Sequence, residues 1–332
     1  MSGTLREEHD ALLLDLDGTV YAGQDVVPGA LAALTGSAQR LLYVTNNASR
    51  TPSAVAAHLT ELGLPTTAAD VVTSAQSAAR LLGERLEPRA AVLVVGAPAL
   101  VEEISAVGLV PVRGSEPTPA AVVQGHSPDT GWTALAEATV AIRAGAVWVA
   151  TNTDLTLPSA RGLLPGNGSL VAAVRCATGQ EPLVAGKPAR PLMEDALDRS
   201  GATAPLVVGD RLDTDIAGAR AVGARSLLVL TGVSTPMELL RAPEEQRPDL
   251  VAADLGGLDR AAQELAIDHV DGWSVHVDGS TLVLACDDGA ADPVAGLRAA
   301  CRPAWDDPGW TVLRAEGAGA ESALRSWGID PG

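Results

Sequence analysis

Ala11-Leu12-Leu13-Leu14-Asp15-Leu16-Asp17-Gly18-Thr19 governs how the rest of the chain is read. A short apolar run breaks directly into acids and a glycine. Such a run suits a strand buried on both faces of a parallel sheet. The C-terminal edge of that kind of sheet is where α/β proteins place their ligands. Asp15 and Asp17 alternate with Leu16, so on extended backbone they point to the same side, and Gly18 lets the chain turn. Paired carboxylates there suit a hard cation with oxygen ligands. They equally suit a nucleophile and a general acid working in sequence.

Outward from this segment, apolar runs alternate with amphipathic stretches, the pattern of a parallel sheet with crossover helices. Strands are expected at 40–45, 91–96, 120–124, 146–151, 182–186, 205–210, 225–230 and 249–253. Helices are expected at 52–62, 98–107, 131–144 and 169–178, the first opened by Thr51 as cap and Pro52 in the first turn. The fold class is therefore α/β, a Rossmann-like parallel-sheet core interrupted by a second α/β block. The expected boundaries are 1–80 with 181–264 for the core and 81–180 for the inserted block. Residues 265–332 form a small α+β module rich in tryptophan (Trp273, Trp305, Trp310, Trp327). Within it WSVHVDGSTLVLA reads as a hairpin around Asp278-Gly279, followed by a helix at 293–301 and a strand at 310–315.

The chain has 332 residues, is 47% hydrophobic and 19% charged, and contains no Phe, so its cores are aliphatic. A net charge of −18 with no basic run argues against nonspecific binding of nucleic acid or an anionic membrane surface. An anionic substrate is still accommodated where a metal and a few cations dominate locally. Cys176, Cys286 and Cys301 lack zinc spacing and read as reduced thiols of a cytoplasmic protein. The polar N-terminus is not a signal peptide, and no apolar run reaches transmembrane length.

Three more strand ends carry polar groups. Thr45, Asn46 and Asn47 can hydrogen-bond phosphate oxygens without adding negative charge, or form a helix cap or Asx turn. Gly186-Lys187-Pro188 holds the only lysine among 23 basic residues. A compact ammonium that meets a phosphate oxygen and a carboxylate together is a role Arg does not fill. The segment lacks the other residues of a Walker A loop. Asp210, after PLVVG, can complete a metal site with the first acid pair. Asp215 can hold a metal-bound water or orient Lys187. Asp213 reads as a helix N-cap.

With DLDGT, VTNN, GKP and GDRLDTD in that order, residues 10–260 resemble the haloacid dehalogenase superfamily. About 140 residues lie between Thr45 and Lys187, where type II members insert an α/β cap. TNNASRTP, ATNTD and PGNGS are similar to the group of glycerol-3-phosphate, phosphoglycolate and pyridoxal phosphate phosphatases. The resemblance implies a Mg2+-dependent phosphatase. Its metal would be held by Asp15, the Asp17 main-chain carbonyl, Asp210 and Asp215. Asp15 is the implied nucleophile and Asp17 the acid and base, with Thr45 and Lys187 stabilising the transferring group. Gly18, Asn46, Asn47, Arg50, Asp154 and Leu157 are the implied substrate contacts, and Leu155 to Arg161 a cap loop facing the leaving group. A homodimer through the cap is implied as well.

The C-terminal extension resembles one carried by glycerol-3-phosphate phosphatases of actinobacterial type and, loosely, an acetyltransferase fragment. It is read as lacking a Gly-rich acetyl-CoA loop of the R-x-x-G-x-G sort, so docking or stabilisation is the expected role. A small phosphate ester, foremost glycerol 3-phosphate, is the expected substrate. Phosphoglycolate, pyridoxal phosphate and nucleotides are the alternatives, and a phosphomutase or a phospho-acceptor signalling domain the rival classes.

Overall fold

The computed structural model describes residues 3–159 and 161–330, so Ala160 of the expected cap loop lies outside the described residues. The chain divides into two compact units, Met1–Arg40 with Ala202–Gly332, and Leu41–Gly201.

In the first unit the strands Leu250–Ala252, Arg225–Val229, Pro205–Gly209 and Ala11–Leu14 lie side by side in that order, all parallel. Leu14 faces Val208 and Val208 faces Leu227, so the strand ends that lead into Asp15 and into Gly209-Asp210 lie side by side. Ala11 to Leu14 are buried throughout, as a strand covered on both faces requires. A two-residue antiparallel pair, Tyr21–Ala22 with Asp25–Val26, follows the DLDGT turn.

The C-terminal module belongs to this unit. Ser274–Asp278 and Thr281–Ala285 form the expected hairpin, and Val312–Glu316 adds to it in parallel. Asp278 pairs with Thr281, so the turn residues are Gly279 and Ser280, one position beyond the expected turn. The helix after it runs on to Asp306, and a second helix, Ala318–Ser326, was not expected. Trp273, Leu297, Ala300 and Trp310 share one apolar cluster with Leu212, Ile216, Leu239 and Val251. Trp305 donates its indole N–H to the Leu239 carbonyl at 2.9 Å. The guanidinium of Arg298, 2% exposed, donates to the Val251 carbonyl at 3.1 Å. The module is thus packed onto the sheet through a shared core rather than tethered to it.

In the second unit Arg40–Thr45 pairs in parallel with Val71–Thr73, and Pro52–Glu61 follows, its Thr51 hydroxyl accepting from the Ala54 N–H at 3.2 Å. A separate five-stranded parallel sheet has the order Leu183–Val184, Val147–Ala150, Ala121–Gln124, Ala91–Val95, Val110–Val112. Successive residues of each strand serve opposite faces. Val92, Val94, Val123 and Val149 join one core, while Leu93, Val95, Val122 and Trp148 join the other. The segment 182–186 was expected to be a strand of the core. Leu183–Val184 instead pairs with Val149–Ala150, at the edge of this sheet. The expected loop after Asp154 is a hairpin, Thr156–Ser159 against Gly162–Pro165. No helix among the described residues is long and apolar enough to cross a membrane.

Candidate active site

In the first unit, Asp15 is anchored by its N–H to the Val208 carbonyl at 2.9 Å. Beyond it the Leu16 carbonyl accepts from Thr19, Val20 and Tyr21 at 3.2, 2.9 and 3.1 Å, closing a tight turn. Leu16 is fully buried, while Asp15 is half-buried and Asp17 exposed, so the acids share the side opposite the core. Gly18 adopts φ +92°, where L side chains are strained. A Cβ there would also meet the Asp210 carboxylate at 2.6 Å.

Asp210 is fully buried. Its carboxylate accepts from the Val233 N–H at 2.6 Å and from the Thr19 hydroxyl at 3.3 Å. Gly232 leaves room for it, because a Cβ at that position would collide with the Asp210 carboxylate. After Asp210 the chain makes one π-helical turn, Leu212–Ile216, the wide turn often found at functional sites. That turn brings the Asp215 carboxylate back to accept from the Arg211 N–H at 3.0 Å. Asp213, expected as a helix N-cap, instead lies inside the turn. Its carboxylate accepts from Arg211 Nε and Nη2 at 3.0 and 2.8 Å, so the fork of a neighbouring guanidinium outcompetes the cap.

Asp15, Asp210 and Asp215 each present a carboxylate oxygen within 4.8 Å of the others. Three such oxygens, on buried or half-buried residues, fit a hard divalent cation. Thr231, whose hydroxyl donates to the Gly18 carbonyl at 2.6 Å, Gly232 and Val233 support this cluster and were not anticipated. The recurring signal was a polar or glycine residue after a further parallel strand, as in the stretch that follows Arg225–Val229.

In the second unit, Thr45 is 3% exposed and its hydroxyl accepts from the Asn47 N–H at 3.1 Å. Asn47 accepts from the Ser49 N–H at 2.8 Å, the Asx turn that was one of the readings of this segment. Asn46 and Lys187 come together. Asn46 Oδ1 accepts from the Lys187 N–H at 2.8 Å, and Asn46 Nδ2 donates to the Lys187 carbonyl at 3.0 Å. The ammonium of Lys187, 3% exposed, donates to the Val44 carbonyl at 2.9 Å. Asp154 accepts from Asn46 Nδ2 at 3.2 Å. Arg50 is exposed, and Leu157 stands exposed on the hairpin with Leu155, Leu163 and Leu164.

Residues 12–110 match a family model described as haloacid dehalogenase-like hydrolase, and 184–258 one described as HAD-hydrolase-like. Residues 270–329 match a model of a GCN5-related N-acetyltransferase like domain. The chain is 50% identical to a D-glycerol 3-phosphate phosphatase of Mycobacterium tuberculosis, over 98% of this chain and 96% of the relative. It is 38% identical to an acid sugar phosphatase of Staphylococcus aureus, over 69% of this chain and 89% of that one. A crystal structure of a glycerol phosphate phosphatase from M. tuberculosis in complex with magnesium superimposes with a TM-score of 0.92. That alignment is 50% identical and covers 99% of this chain and all of the other.

The acetyltransferase-like match exposes one misreading. Arg314-Ala315-Glu316-Gly317-Ala318-Gly319 does have the R-x-x-G-x-G spacing that was expected to be absent. Its glycines have a packing explanation. A Cβ on Gly317 would meet the Cys286 carbonyl at 2.5 Å, and one on Gly319 would meet Cys286 Sγ at 2.7 Å. The chain at 286–288 fills the space against both.

Proposed function

The chain belongs to the haloacid dehalogenase-like hydrolases, and from that membership we propose that it hydrolyses glycerol 3-phosphate to glycerol and phosphate through an aspartyl-phosphate on Asp15. It is a magnesium-dependent phosphomonoester hydrolase. The observation that carries the residue assignment is the convergence of Asp15 and Asp210, just past the ends of neighbouring parallel strands, with Asp215 on the π-helical turn that follows.

Magnesium held by these carboxylates and the Asp17 main-chain carbonyl would lower the repulsion between Asp15 and a phosphate dianion. A carboxylate oxygen of Asp15 attacks phosphorus, and the bond to the ester oxygen breaks. Asp17 gives its proton to the departing alkoxide, then takes one from the water that attacks the aspartyl-phosphate. Free phosphate leaves and Asp15 is regenerated. The exposure of Asp17 suits a group that exchanges protons with solvent, whereas half-buried Asp15 suits a nucleophile. Thr45 and Lys187 are assigned to the charge on the transferring group. Gly18 gives the turn its close approach.

Residues 81–180 are read as a cap that selects the leaving group and 265–332 as an accessory module. The hairpin at 155–165 carries Leu, Thr, Ser and Arg and no aromatic residue, which favours a small aliphatic ester over a ring that stacks. Self-association through the cap has support in Trp132 and Val140, 81% and 54% exposed on one helix. The net charge of −18 supports the absence of nucleic-acid and membrane partners, and three free cysteines support a cytoplasmic setting. The test of the substrate is kcat/KM for glycerol 3-phosphate, phosphoglycolate, pyridoxal 5′-phosphate and a nucleoside monophosphate. Glycerol 3-phosphate is expected to lead. A tenfold lead for pyridoxal phosphate or the nucleotide, about 1.4 kcal/mol, overturns the substrate assignment.

A further inference from the structure

Asn46 stands in the segment expected to contact phosphate, yet its hydrogen bonds go elsewhere. A primary amide has two N–H donors and one carbonyl oxygen. Asn46 Nδ2 donates to the Lys187 carbonyl at 3.0 Å and to the Asp154 carboxylate at 3.2 Å. Both donors are spent, and a phosphate oxygen accepts only from donors. Asn46 Oδ1 accepts from the Lys187 N–H at 2.8 Å, so the amide grips the N–H and the carbonyl of one residue together.

We infer that Asn46 is a positioning residue for Lys187, with its amide plane held by Asp154, rather than a phosphate ligand. This rests on the assignment of Lys187 to the transferring phosphoryl group.

The surroundings are shaped for that grip. A Cβ on Gly186 would meet Asn46 Oδ1 and the Thr151 carbonyl, each at 2.5 Å, so glycine before Lys187 is what lets the amide reach. The main chain of Asn46 is itself fixed, its carbonyl accepting from Ser74 Oγ at 2.6 Å and Asn152 Nδ2 at 2.7 Å. Lys187 Nζ donates to the carbonyl of Val44, on the strand Arg40–Thr45 that ends just before Asn46. One strand end therefore holds Lys187 by its main chain and by its tip. A free lysine side chain samples many rotamers, and an error of about 1 Å in a catalytic group costs roughly 10²-fold in rate. Fixing both ends of Lys187 addresses both.

The experiment is a double-mutant cycle in the magnesium-loaded full chain, with 4-nitrophenyl phosphate as substrate. Asn46→Ala is expected to lower kcat by roughly 10- to 100-fold with KM changed less than about threefold. Because it acts through Lys187, Asn46→Ala combined with Lys187→Ala should match Lys187→Ala alone within about twofold. Asp154→Ala, which takes away the acceptor that holds the Asn46 amide plane, should also lower kcat, and by no more than Asn46→Ala does. If Asn46→Ala fails to fold, Asp154→Ala takes its place in the cycle. A raised KM with unchanged kcat, or losses that multiply in the double variant, would overturn the inference while leaving Lys187 in its role. A harmless Lys187→Ala would overturn both.

Discussion

The Lys187 ammonium donates to the Val44 main-chain carbonyl at 2.9 Å from a side chain only 3% exposed. A group packed this closely has no room for the larger planar fork of Arg, whose donors point in other directions. Lys187→Arg is therefore expected to be about as damaging as Lys187→Ala. Each should lower kcat by roughly 10² or more, the usual loss when a charge-stabilising donor is removed. Steady-state kinetics on folded variants check this. Wild-type rates for Lys187→Arg would mean that the lone lysine has no special task.

Gly232 approaches the Asp210 carboxylate so closely that a Cβ must displace it. Gly232→Ala should weaken magnesium activation by roughly tenfold or more, about 1.4 kcal/mol, while the melting temperature falls little. Activity is titrated against magnesium. An unchanged midpoint would remove Asp210 from the metal site.

The C-terminal module should not come away cleanly. Leu297 is fully buried in the cluster that also contains Leu212 and Ile216 of the turn after Asp210. Leu297→Ala is expected to cost about 2–5 kcal/mol in chemical denaturation, and deletion of 266–332 to give insoluble protein. A soluble truncation that melts like the full chain would contradict the shared core.

Thiol labelling probes the same packing. Cys176 is exposed, whereas Cys286 and Cys301 are buried, and burial pushes the Cys301 thiol up, away from the reactive thiolate. Iodoacetamide should modify Cys176 in the native protein and reach Cys301 only after unfolding. Early modification of Cys301 would show that the module opens readily.

Much of the fold was legible because buried parallel strands are apolar runs and their polar ends stand out against them. Ala11–Leu14, Arg40–Thr45 and Pro205–Gly209 were readable on that ground, and so were Asp15, Thr45 and Asp210. What stayed hidden depends on neighbours far away in sequence. The short strand Leu183–Val184 carries no sign of which sheet it joins. The Asp213 carboxylate chose between a helix cap and Arg211, a competition decided by geometry alone. Asn46 looked like a phosphate contact because its type and position allow it, and only the placement of Lys187 and Asp154 shows its donors engaged. The hairpin at 156–165 looks like a loop in the sequence because its two prolines and one glycine obscure the alternation of a strand.

The central claim is that phosphate passes through Asp15. The most direct measurement uses Asp17→Asn with 4-nitrophenyl phosphate, whose leaving phenolate needs no proton, so the first step survives while hydrolysis of the intermediate slows. Rapid acid quench and peptide mapping should find the phosphoryl group on the peptide containing Asp15, with a burst of about one 4-nitrophenolate per chain. Phosphate release without a burst, or label on any other residue, would contradict the account.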